Sequence, residues 1–192
     1  MMAVRKVRRK VIAFCGFEQS GKDFSCKRLV TTRGFKKTAF ANALRDIAFA
    51  TIGKIYAKDM DKYEELKQTK IYDDLTFRNI MENLGSAVRR YDENFWIKGV
   101  IKDIEETTKN VCVSDLRYFN EYLYLKNYCK KNDINFKLVF CDYHSLNYNA
   151  TNMHESTKLA HYLKDAGYED QQEVSDITMA NYSALEMSTL GF

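Results

Sequence analysis

A chain of 192 residues with 45% apolar and 14% aromatic side chains can bury one core of ordinary domain size, which excludes a disordered tail or a fibrous repeat. The longest apolar runs are too short to span a bilayer and no signal-peptide pattern is present; the five cysteines, an odd number without metal-finger or C-x-x-C spacing, point to buried thiols in a soluble, cytoplasmic protein rather than a disulfide framework. The net charge of +4 is mild and much of the local excess sits in "VRKVRRK" at Val4 to Lys10, which reads as a solvated arm. Nucleic-acid contact is the weaker reading of that arm, because no second basic stripe with interleaved aromatics supports it.

Along the chain, short apolar runs alternate with longer amphipathic segments, the pattern of a parallel sheet covered by helices. Strands are predicted at Lys10 to Cys15, Phe35 to Phe40, Asn110 to Ser114, Phe136 to Cys141 and Asp176 to Ala180. Between the first two, "SGKDFSCKRLV" starts a helix directly out of a glycine-bearing loop, and "NALRDIAFATIG" forms a second helix that Gly53 can stop. Thr76 is placed to cap a third, in which Phe77, Ile80, Met81, Leu84 and Val88 repeat at core spacing. Its other face carries Arg78, Glu82, Gly85 and Arg89 in one line, either a ligand cleft or a solvated face with an Arg78 to Glu82 ion pair. Phe95 to Ile104 and Tyr118 to Lys130 are two further amphipathic helices. Asp142 to Ser175 has no place in a five-strand core and reads as an excursion over one end of the sheet; His154, Lys158, His161 and Asp165 share one helical face there, more simply solvated than in contact with phosphates.

The loop is the most specific chemical signal. "GFEQSGKD" at Gly16 to Asp23 nearly spells G-x-x-x-x-G-K-[ST], the phosphate-cradling motif, and it lies between a strand-like and a helix-like run as that motif requires. Converging backbone N–H groups and a helix N-terminus suit a polyanion, the glycines allow close approach, and Lys22 reaches the β- and γ-phosphates. Asp23 replaces the usual hydroxyl. Its carboxylate is a hard oxygen ligand for Mg²⁺ and would repel triphosphate without the metal, so the site is expected to depend strictly on Mg²⁺.

"SGKD" after an apolar strand resembles the loop of phage-type deoxynucleoside monophosphate kinases, and four further segments resemble that family in the same order. These are "FANALRDIA" at Phe40 to Ala48, similar to its "FADPLKDAL"; "TFRNIMENLGSAVRR" at Thr76 to Arg90, similar to its T-x-R-x-x-x-Q-x-x-G-T-D helix and followed by Trp96 where it has a tryptophan; "VCVSDLRYFNE" at Val111 to Glu121, similar to its strand and D-x-R-x-x-N-E; and "DITMANYSALEMSTL", similar to its last strand and D-x-x-I-x-N-x-G-S-L turn. The departures, Glu82 for Gln, Ser86 for Thr, Ala87 for Asp and Thr157 for Glu, fall in the acceptor site and lid.

The resemblance implies an α/β P-loop kinase fold with a five-stranded parallel sheet flanked by helices, a nucleotide-monophosphate-binding region at about 41–105 and a lid at about 143–175. It also implies transfer of the ATP γ-phosphoryl group to a deoxynucleoside monophosphate with Mg²⁺, in a bacterial cell or phage-infected host. By the same resemblance, Gly16, Gln19, Ser20, Gly21 and Lys22 hold ATP phosphates, Asp23 stands beside Mg²⁺ directly or through water, and Asn181 lies near the adenine. Lys22, Asp115 and Arg117 are the catalytic candidates, with helix capping as the other reading of Asp115. Arg45, Arg78, Arg89, Glu82 and Trp96 are expected at the acceptor, and His154 and Lys158 in the lid, which has no arginine because Arg117 is the last in the chain. Oligomeric state is open, a homodimer included. A related kinase acting on a coenzyme A precursor and a non-catalytic ATP-binding protein are the rival readings; the lack of N-K-x-D and D-x-x-G signatures argues against a GTPase.

Overall fold

The computed structural model describes residues 8–50, 69–142, 157–165 and 177–181. It divides into two compact units, one formed by the chain up to Ala39 and from Val100 onward, the other by Phe40–Gly99.

The first unit is built on a five-stranded sheet of β1 (Lys10–Gly16), β2 (Lys36–Thr38), β5 (Val111–Val113), β6 (Asn135–Asp142) and β7 (Ile177–Asn181), in the order β2-β5-β1-β6-β7. Every pairing is parallel. The central strand pairs over its whole length with β6, from Lys10↔Asn135 to Gly16↔Cys141, and its Val11 to Cys15 are at most 1% exposed. An uninterrupted apolar run is what a parallel strand covered on both faces needs, so the sheet expected from the sequence is the sheet that forms. On one face, Ile12 and Phe14 pack with Cys112, Val139 and Cys141 against Cys26 and Leu29 of α1 (Lys22–Arg33).

Helix α1 ends where its sequence stops it. Gly34 takes the left-handed conformation, φ 67°, and donates its N–H to Val30 O at 3.2 Å, while Phe35 N–H reaches Leu29 O and its ring joins the Leu29 cluster. Helix α5 (Phe119–Lys131) covers β6, burying Tyr122, Leu125 and Cys129. Helix α6 (Lys158–Asp165) departs from expectation. Rather than riding in an excursion beyond the core, it lies against β1 and β6 and buries Leu159, Ala160 and Leu163 to 3% exposure or less. Those three apolar residues form a narrow stripe that a polar segment concealed.

The second unit contains α2 (Ala41–Ala48), a small antiparallel ribbon of β3 (Lys70–Tyr72) and β4 (Leu75–Thr76) that the sequence did not announce, and α3 (Phe77–Tyr91). Thr76 caps α3 as expected: Asn79 N–H donates to Thr76 Oγ1 at 3.2 Å and Thr76 N–H to Asn79 Oδ1 at 3.0 Å. The buried ridge of α3 is Phe77, Met81 and Gly85, with Ile80, Leu84 and Val88 half-buried, so the core stripe is rotated from the one predicted. The second helix in the sequence reading runs on to Gly53, whose place lies outside the described residues. Helix α4 (Phe95–Glu105) starts in this unit and continues into the first.

All five cysteines are free and buried. Burial pushes the Cys15 and Cys129 thiols up to about 12, so they are protonated packing groups. Among the described residues no helix is long and apolar enough to cross a membrane.

Candidate phosphate-binding site

The loop between β1 and α1 is shaped by its own sequence. Gly16 adopts φ 147°, and a Cβ there would run into the Cys141 carbonyl of β6 and stand 2.7 Å from Ser20 Oγ, so both conformation and space demand glycine. Gly21 opens α1 with φ 88°, and no atom crowds it, so conformation alone selects that glycine. Gln19 also sits at positive φ, 62°. The Lys22 ammonium arches back over the loop, donating to Gly16 O at 2.8 Å, to Phe17 O, and to the buried Ser20 Oγ at 3.3 Å.

Burial pushes the Lys22 ammonium below the ordinary lysine range, and the charge of Arg117 acts in the same direction. Two cations expected at phosphate are thus electrostatic neighbours within one unit. Arg117 and Asp115 follow β5, and Leu116 N–H donates to Phe14 O at 3.1 Å, which draws that turn onto β1 at the carboxyl end of the strands. Parallel strands place this turn at the same sheet edge as the loop, the edge where doubly wound sheets take ligands.

Glu121, 2% exposed, caps the helix that follows, accepting from Arg117 N–H at 2.9 Å and Tyr118 N–H at 3.1 Å. Sequence reasoning passed over Glu121 as a motif letter; its position three residues after the N-cap was the available signal. Asp23 is exposed and its carboxylate pairs with Lys37 at 2.6 Å, a partner that only the closeness of β2 to α1 supplies. The donor chemistry still fits Mg²⁺, which takes one or two carboxylate oxygens and completes its shell with phosphate and water. Asn181 closes β7, in register with Asp142 of β6, and Lys158 is the first, exposed residue of α6. His154 lies outside the described residues.

The residues expected at an acceptor all lie in the second unit. Arg78 and Glu82 form the predicted ion pair at 3.0 Å, both partly exposed. Arg89 extends back over Gly85, its Nη1 lying 3.5 Å from where a Cβ of that residue would be. Gly85 itself serves packing: a Cβ would press on Leu44 of α2 at 3.2 Å, and its carbonyl accepts the Trp96 indole N–H at 3.2 Å. Trp96 is 2% exposed, so the ring expected at the substrate is instead taken up by this unit's core. Replacing Trp96 with Phe removes that hydrogen bond and some volume, and is expected to cost about 1 to 2 kcal/mol in thermal unfolding with acceptor KM unchanged. A raised acceptor KM at unchanged stability would return Trp96 to the substrate.

No family model matches the chain, and no curated protein does. Among solved structures, a candidate kinase from Chloroflexus aurantiacus is similar at 9% identity and TM-score 0.40, over 72% of this chain and 62% of its own. This chain thus spans under two thirds of that protein's length. The gluconokinase from Sinorhizobium meliloti is similar at 13% identity and TM-score 0.38, over 96% and 88% of the two chains. The Mycobacterium tuberculosis APS kinase CysC in complex with AMPPNP and APS is similar at 15% and 0.36, over 92% and 81%. With these scores below 0.5, the fold assignment rests on the chain's own strand order and loop: a P-loop α/β fold.

Proposed function

We propose that this protein is an ATP-dependent kinase that transfers the γ-phosphoryl group to a deoxynucleoside monophosphate. The observation that carries the reading is the loop itself: Lys22 held above the Gly16 and Phe17 carbonyls at the start of α1, its proton affinity lowered by burial and further by the charge of Arg117. Such paired cations suit the charge that accumulates on a transferring phosphoryl group, where catalysis is mostly positioning and neutralisation. The loop N–H groups and the α1 N-terminus would bind the β- and γ-phosphates, Lys22 would stay with the γ-phosphoryl as its bond to the β-γ bridging oxygen breaks, and Arg117 would follow the same charge. The new bond forms to a phosphate oxygen of the acceptor, and ADP leaves. Asp115 is proposed to orient the reacting groups, with Asn181 near the adenine and Lys158 and His154 in the lid. Arg45, Arg78 and Arg89 are proposed for the acceptor, with Glu82 reading base-edge donors. Asp23 would hold Mg²⁺, directly or through water, and the cation supplies neutralisation of the phosphate oxygens.

The test is coupled ADP release with each of the four common deoxynucleoside monophosphates. Turnover with at least one is expected, and ATP binding with no turnover on any defeats the reading. Arg78→Ala should raise the acceptor KM about tenfold or more while leaving the ATP KM within about twofold, since a charged hydrogen bond contributes 1.5–3 kcal/mol. An equal rise in both removes Arg78 from the acceptor site.

ATP titrations should show binding with Mg²⁺ and little without it. Because the exposed Asp23–Lys37 pair competes for the same carboxylate, Lys37→Ala should lower the Mg²⁺ needed for half-maximal ATP binding, by at most about fivefold for a surface pair. ATP binding that is indifferent to Mg²⁺ in both proteins would take the metal role from Asp23.

A further inference from the structure

Phe17 is the one large apolar side chain of the loop that is buried, at 5% exposure, and it is also the residue whose carbonyl accepts from Lys22. Its ring meets Phe140 of β6 edge-on, centroids 6.3 Å apart at 75°, and meets His161 of α6 edge-on at 4.9 Å and 74°. Phe140 is wholly buried and fixed in the sheet. His161 is held by its neighbours in α6, since Leu159, Ala160 and Leu163 anchor that helix on β1 and β6. The face of α6 that reads as solvated in the sequence thus carries a half-buried imidazole set against the phosphate loop.

We propose that His161 is a positioning residue for the phosphate loop: its ring closes an aromatic stack, Phe140–Phe17–His161, that fixes Phe17 and with it the carbonyl against which Lys22 is aimed. This rests on the proposed ATP-binding role of the loop. The physical argument is one of over-determination. The loop holds the non-glycine residue Gln19 at positive φ, 62°, between glycines that adopt such angles freely, and the Phe17 carbonyl also takes the Ser20 N–H at 3.3 Å. Such a backbone keeps its shape only when its surroundings hold it there. Phe17 supplies the loop's apolar anchor, and an edge-to-face pair fixes both the distance and the tilt of the ring more tightly than burial alone. Removing one side of the stack lets the ring turn and the carbonyl move, which misdirects Lys22 without touching any phosphate ligand.

The experiment compares wild type with His161→Ala, His161→Phe and Tyr162→Ala, the last removing an exposed neighbour on the same helix that packs on Phe119 rather than on the loop. Two readouts are taken: hydrogen exchange of the loop amides in the chain without nucleotide, and the dissociation constant for Mg-ATP. His161→Ala is expected to speed loop exchange and weaken Mg-ATP about two- to tenfold, the range an aromatic pair commands. His161→Phe should restore both to within about twofold, and Tyr162→Ala should change neither. Unchanged loop exchange in His161→Ala overturns the proposal, as does faster exchange with unaltered Mg-ATP affinity. A His161→Phe protein as impaired as His161→Ala overturns it too, because the imidazole rather than the stacked ring would then be needed. If wild type binds no Mg-ATP, the kinase reading fails, and loop exchange alone still decides whether His161 holds Phe17.

Discussion

Lys22→Ala should abolish most phosphoryl transfer while leaving the fold intact. Loss of a single preorganised group that stabilises developing charge lowers kcat by about 10²- to 10³-fold, and the same order is expected in ADP release with ATP and the preferred acceptor. Stability should behave differently. Burial lowers the proton affinity of Lys22 in the folded chain, so the ammonium is less favourable there than in the unfolded chain and adds no net stability at neutral pH. The sign follows: the unfolded chain binds this proton more tightly, so the cost of the charge is full at neutral pH and is relieved as pH rises through the folded value toward that of an ordinary lysine. The thermal midpoint of Lys22→Ala at neutral pH should therefore stay within about 2 °C of wild type. A large drop in midpoint would mean that the three loop contacts of Lys22 hold the fold rather than await phosphate, and that the loss of activity is structural.

Gly16→Ala should fail in the opposite way. The residue holds φ 147°, and an added Cβ strikes the carbonyl of Cys141, a buried residue whose backbone is held in the sheet. Strain at such a backbone conformation costs about 1–3 kcal/mol, and the collision adds to it, so a loss of about 2–4 kcal/mol is expected, read as a fall of roughly 5–15 °C in thermal midpoint. Gly21→Ala is the comparison. Its φ of 88° is strained for alanine but no atom lies within 4 Å of the new Cβ, so about 1 kcal/mol should be lost. Equal losses at the two glycines would show that the loop, rather than its seating on β6, limits stability.

The parts of the fold set by local chemistry were legible. The apolar runs of β1, β5 and β6 announce buried parallel strands, Thr76 starts α3, and "GFEQSGK" announces a phosphate loop, each through a pattern only a few residues long. What was missed depends on residues far apart in the chain. His161 and Phe17, Asp23 and Lys37, and Gly16 and Cys141 become neighbours only once the strands are ordered. Gly85, read from sequence as part of either a ligand cleft or a solvated face, packs against Leu44 and accepts the Trp96 indole N–H, an approach no helical wheel contains. Helix α6 was read by its charges, while the three buried residues that dock it form too short a stripe to stand out.

By itself, then, the sequence determined the class of the fold and the presence of a phosphate loop, because hydrogen bonding, glycine conformation and apolar periodicity act over one or two turns of chain. The tertiary structure decided which way Asp23 points, what Gly85 packs against, that Glu121 caps α5, and that α6 reaches the loop through His161. Those are contacts between elements, fixed by strand order and close packing, and no local pattern encodes them.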